Sequence, residues 1–112
     1  MKVKTTSSPF GSRTRTRVLL SLELMGQSYP RELARLLGVG LSVVQKAIRS
    51  LELDGLIAGR AVGRTRLYSI NPAYFAANEV RRLAGRLVDG DEELRRRVSE
   101  MRTRPRRSGK PL

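Results

Sequence analysis

At 112 residues the chain is one small domain with little room for an enzyme core, and 23 Lys+Arg against 10 Asp+Glu leave it at +13. A surplus of that size points to a polyanionic partner, either nucleic acid or an acidic membrane face. The absence of cysteine and histidine excludes structural disulfides, a Cys/His zinc site and nucleophilic catalysis with a histidine base.

The charge is concentrated at the ends. Residues 1–17 carry Lys2, Lys4, Arg13, Arg15 and Arg17 with no acid, and residues 102–112 carry Arg102, Arg104, Arg106, Arg107 and Lys110, again with no acid. The stretch between them is nearly balanced. This pattern predicts a basic flexible arm over 1–11, a folded middle, and a basic flexible tail over 102–112. The apolar run Val18 to Met25 is broken by Glu23 and is far shorter than the ~20 residues of a membrane span. No small-x-small site follows it, so a cleavable leader is not expected, and the protein is read as cytoplasmic and nucleoid-associated.

Ser12 is placed to cap a helix running to about Met25, with Val18, Leu19, Leu22 and Met25 on one stripe and Gly26 as its stop. A short second helix is expected over Ser28 to Leu37, burying Leu33, Leu36 and Leu37 and ending at Gly38. After Gly38-Val39-Gly40, Val44, Ala47, Ile48 and Leu51 recur at helical spacing up to Asp54-Gly55. The opposite face of that third helix carries Ser42, Val43, Gln45, Lys46 and Arg49. Leu56 to Ala58 and Arg66 to Ile70 read as two strands, with Gly59 to Thr65 turning between them and Gly63 at a positive-φ position. The fold class is therefore mainly α with a small β-hairpin, in the order of a winged helix-turn-helix.

Asn71-Pro72 reads as a helix opening. Beyond it Val80, Leu83, Leu87, Leu94, Val98 and Met101 form a near-heptad seam broken at Asp89-Gly90-Asp91, where Asp89 and Glu92 are candidates to cap a separate last helix. The seam has two readings, packing on the winged core or covering a second copy of the chain. A folded unit of about 60 residues is marginal alone, and helix-turn-helix readers usually act as twofold dimers.

The stretch from about Ser12 to Pro72 resembles winged helix-turn-helix transcription regulators of the arsenic-repressor (ArsR-like) and related types. The resemblance rests on Arg31-Glu32-Leu33-Ala34, Leu37-Gly38-Val39, the run Leu51 to Ile57, and Arg64-Thr65-Arg66-Leu67-Tyr68. It extends to winged-helix segments that precede nucleotidyltransferase-like domains. Metal-sensing members hold their effector through Cys and His, both missing here, so no metal and no cofactor are expected. No effector constellation is visible either.

The resemblance implies a homodimeric, sequence-specific reader of double-stranded DNA, with 12–72 as the DNA-binding domain and 73–101 as a C-terminal helical dimerisation segment. Relatives of this type often dimerise through the first and last helices, which makes Val18, Leu22, Phe75, Val80, Leu83 and Leu87 the expected interface. The expected DNA contacts are Arg31, Ser42, Val43, Gln45, Lys46, Arg49, Arg60, Arg64 and Arg66. Gln45 carries the donor-acceptor pattern for adenine, and Lys46 and Arg49 the donors for guanine or phosphate. The alternative is a chromosome-coating or RNA-associated basic protein that reads no sequence. An enzyme is disfavoured, since Glu52 and Asp54 are the closest acidic pair and lie at a helix-to-strand corner.

Overall fold

A computed structural model describes residues 8–103. Its elements run α1 (Arg13–Met25), α2 (Pro30–Leu37), α3 (Leu41–Leu53), β1 (Ile57–Val62), β2 (Thr65–Ile70), α4 (Ala77–Asp89) and α5 (Glu92–Thr103). This is the α+β winged helix arrangement. Among the described residues no helix is long and apolar enough to cross a membrane.

The α1 N-cap is Ser12, whose side chain accepts from the Arg15 amide at 3.0 Å, and the helix closes at Gly26 with φ 90°. Val18, Leu19 and Leu22 are all but fully buried, because α1 packs against α2, α3, α4, α5 and β2 together. Helix α2 starts later than its sequence suggests. The Ser28 backbone is occupied elsewhere, donating to the Tyr68 carbonyl at 3.0 Å and accepting from the Tyr68 amide at 2.8 Å. Ser28 thus adds a one-residue bridge to the hairpin, while its hydroxyl donates to Glu32 Oε1 at 2.6 Å.

Gly38, left-handed at φ 69°, ends α2, and three residues later α3 begins. Val44, Ala47, Ile48 and Leu51 are its buried stripe, as their spacing predicts. The hairpin strands are longer than expected and the turn is shorter. Pairing extends from Ile57↔Ile70 to Val62↔Thr65, leaving only Gly63 and Arg64 as the loop. Gly63 has φ 63° and Arg64 does not have positive φ, the pattern of a type II′ turn whose twist matches the strands it joins.

Gly59 lies opposite Tyr68 in this register, and a Cβ there would stand 2.6 Å from Tyr68 Cε1 and 2.9 Å from its Cδ1. The Tyr68 ring is buried and cannot swing into solvent. Gly59→Ala is therefore expected to cost about 1–3 kcal/mol by overpacking, read as a lower urea midpoint at unchanged slope.

Asn71-Pro72 does not open a helix. Asn71 Nδ2 donates to the Gly55 carbonyl at 3.0 Å, and its Oδ1 accepts from the Ala73 amide at 3.0 Å. These bonds fasten a turn to the end of α3, so α4 starts only at Ala77. Gly90 separates α4 from α5, and Asp91 rather than Asp89 caps α5, accepting from the Leu94 amide at 3.0 Å. Val80, Ala84, Val88, Leu94 and Val98 join the same core as α1 to α3. The seam read along residues 80–101 thus closes largely on the winged body.

Three α5 arginines fasten the ends of other helices. Arg95 Nε donates to the Val88 carbonyl of α4 at 3.2 Å, Arg97 Nη1 to the Leu36 carbonyl of α2 at 2.9 Å, and Arg102 Nη2 to the Met25 carbonyl of α1 at 3.0 Å. Each meets carbonyls that have no partner within their own helix and carry the negative end of its dipole. Arg102, counted with the basic tail in sequence, is a helix clamp. At the other end Phe10 is buried, so the last residues of the expected arm pack on the body. The remainder of both ends, 1–7 and 104–112, lies outside the described residues.

Candidate nucleic-acid interface

Burial of one α3 stripe leaves the other outward. Ser42, Val43, Gln45, Lys46 and Arg49 are all exposed, and none of their side chains has a hydrogen bond or ion pair among the described residues. Val43 is 44% exposed, an apolar group standing among polar neighbours on the same face. Arg31 and Arg35 are exposed on α2 and likewise without partners among the described residues. The α2 and α3 side chains therefore form a surface rich in donors that remain free for a ligand.

The hairpin splits its three arginines. Cross-strand partners share a face, so Arg66 lies with Tyr68 and Ile70, whereas Arg60 pairs with Leu67 on the other side. Arg60 Nη2 donates to Gln27 Oε1 at 3.3 Å. Arg66 Nη2 donates to the Gly59 carbonyl at 3.2 Å, its guanidinium carbon stands 5.9 Å from the Tyr68 ring centre, and Glu52 is 4.0 Å away. Arg64, at the tip, has no such partner among the described residues. Two of the three expected wing contacts are thus engaged within the chain, and Arg64 alone is fully available.

Arg15, which the sequence placed merely among the basic N-terminal residues, anchors α3. Its Nε donates to the Phe10 carbonyl at 2.7 Å, and its Nη1 donates to Ser50 Oγ at 2.6 Å and meets Asp54 Oδ2 at 2.8 Å. One guanidinium so joins the N-terminal turn, α1 and the last turn of α3. Asp54 and Glu52 both face arginines here.

The expected dimer residues divide sharply. Val18, Leu22 and Val80 are buried within the chain's own core, and Leu87 is half-buried against it. The protomer's own core covers Val18, Leu22 and Val80, whereas Leu87 keeps part of its surface. Phe75 at 90% exposure and Leu83 at 42% remain on the surface, with the Tyr74 ring 5.0 Å from that of Phe75.

Solved structures share this fold. The adhesin competence repressor (AdcR) from Streptococcus pyogenes superposes with a TM-score of 0.62 at 18% identity, over 85% of this chain and 69% of that one. A ZitR variant from Lactococcus lactis in complex with DNA gives 0.57 at 20% identity, over 82% of this chain and 65% of that one. Another structure of a ZitR variant from Lactococcus lactis gives 0.56 at 23% identity, over 81% and 64%. The chain spans about two thirds of the length of these solved chains. No family model and no curated protein matches it. The likeness places the chain in the winged helix fold without singling out the ArsR-like type.

Proposed function

We propose that this protein is a sequence-specific, double-stranded DNA-binding transcription regulator that acts as a homodimer on nucleoid DNA in the cytoplasm. The observation that carries the reading is the α3 surface: Ser42, Val43, Gln45, Lys46 and Arg49 stand outward together, with no partner among the described residues. Donors and acceptors left unpaired on a helix that a buried stripe holds rigid are suited to base edges in a major groove. A protein of the same fold has been solved with DNA, which agrees with this reading.

In this mechanism α3 enters the major groove, with Gln45 toward adenine and Lys46 or Arg49 toward guanine or phosphate. Arg31 and Arg35 reach flanking phosphates, and Arg64 lies over the neighbouring backbone or minor groove. Arg60 and Arg66 join only by exchanging their internal partners for phosphate. The second copy covers Phe75 and Leu83, the two expected interface residues that the protomer leaves exposed. Monomer alone in sedimentation at micromolar concentration would remove the dimer.

Selection from random duplex DNA tests the whole reading, with an enriched inverted repeat as the expected result. A coating or RNA-associated protein would enrich none. Within the selected site, Gln45→Ala should relax preference at one position by about 1–3 kcal/mol, whereas Arg64→Ala should weaken all duplexes alike. Equal losses on every sequence for both variants would remove direct readout by Gln45.

A further inference from the structure

The surface proposed to read DNA is fastened from one end. Gly40 offers no side chain to cap the first turn of α3. The buried stripe Val44, Ala47, Ile48 and Leu51 holds the helix through apolar contact, which is non-directional and by itself tolerates slide and roll. Among the described residues, the side-chain ties from this helix to other elements gather at its C-terminal end. There Arg15 Nη1 donates to Ser50 Oγ at 2.6 Å and meets Asp54 Oδ2 at 2.8 Å, while Glu52 stands more loosely, 4.0 Å from Arg66. Ser50 and Asp54 are four residues apart and therefore share one face of the helix.

Arg15 is itself held in place. Its side chain is 16% exposed, and its Nε donates to the Phe10 carbonyl at 2.7 Å. A Cβ on Gly11 would stand 2.6 Å from that Nε, so the bare glycine, at φ 111°, leaves the guanidinium its path. The Phe10 amide donates in turn to the buried Thr16 hydroxyl at 3.3 Å. The helix dipole alone would disfavour Asp54 where it stands, since a carboxylate at the C-terminal end of α3 faces like partial charge. Arg15 offsets it with donors at fixed angles, which a flexible ammonium does not offer. We infer that Arg15 is a positioning residue for base reading: by holding Ser50 and Asp54 it fixes the axial register and roll of α3, and with them the directions of Ser42, Gln45 and Arg49. The inference rests on the DNA-binding reading, and in it Arg15 touches no DNA.

The test compares the full chain and its variants on the duplex selected from random DNA and on an unrelated duplex of equal length, across a range of salt. Arg15→Lys keeps the charge and loses the fork. It is expected to weaken binding to the selected duplex on the order of 10-fold, the worth of one bidentate base contact, and to leave the unrelated duplex within about 2-fold. Ser50→Ala changes no charge and should lose preference in the same direction by a smaller factor, so it decides the matter should Arg15→Lys fail to fold. Asp54→Asn added to Arg15→Lys should lose little more than Arg15→Lys alone, as expected for partners in one network. In Arg15→Ala the salt slope should keep its wild-type value, because no phosphate contact is removed. Equal loss on both duplexes, unchanged preference in Arg15→Lys and Ser50→Ala, or a slope shallower by about two in Arg15→Ala would each overturn the assignment. A wild-type protein that prefers neither duplex would remove the DNA reading itself. A wild type that prefers the selected duplex, with variants that keep the preference, would remove the positioning role alone.

Discussion

Raising salt from about 50 to about 200 mM is expected to weaken duplex binding by 10³- to 10⁵-fold, the loss for a protein that neutralises roughly 6–10 phosphates. The structure supplies candidates for these contacts. Arg31, Arg35, Lys46, Arg49 and Arg64 are the exposed cations of α2, α3 and the hairpin tip that have no partner among the described residues. Two copies on one site would present twice that set. Plotting log affinity against log salt gives the slope directly, and replacing Arg64 by Ala in both copies should make it shallower by about two. A slope near zero would show that the +13 is spent elsewhere and would remove the phosphate-clamping role given to these residues.

The second large effect concerns stability. Leu19→Ala is expected to cost about 2–5 kcal/mol, because Leu19 is fully buried on the helix that touches most other elements of the fold, and its removal leaves a cavity that no single neighbour can fill. Domains of this size hold only about 5–15 kcal/mol in total, so the variant should melt on the order of 10–30 °C lower. Calorimetry of the two proteins at equal concentration checks this. A shift within a degree or two would mean that α1 is not the packing axis of the fold.

Local periodicity was enough to read much of the architecture. Val44, Ala47, Ile48 and Leu51 announce a buried stripe because helical spacing is a property of neighbours in sequence, and Gly63 announces its turn because only glycine reaches that backbone region cheaply. The features that sequence reading missed depend on distant partners. Ser28 looks like a helix start until Tyr68, forty residues on, claims its backbone. Val18, Leu22 and Val80 look equally suited to a second copy or to the chain's own core, since an apolar stripe does not say what will cover it. Arg15, Arg97 and Arg102 count as charge in a sequence, and only the packing of helices reveals them as ties between elements.

The α5 arginines also bear on the order in which the chain matures. The helices α1, α2 and α4 are synthesised first, and each finishes with carbonyls that Arg102, Arg97 and Arg95 will later meet. Before α5 is made, the Met25 and Leu36 carbonyls lack these guanidinium partners, and the turn leading into α3 lacks its Arg97 fastening. The surface proposed to read DNA is therefore held in its final shape only when the last of the described helices docks.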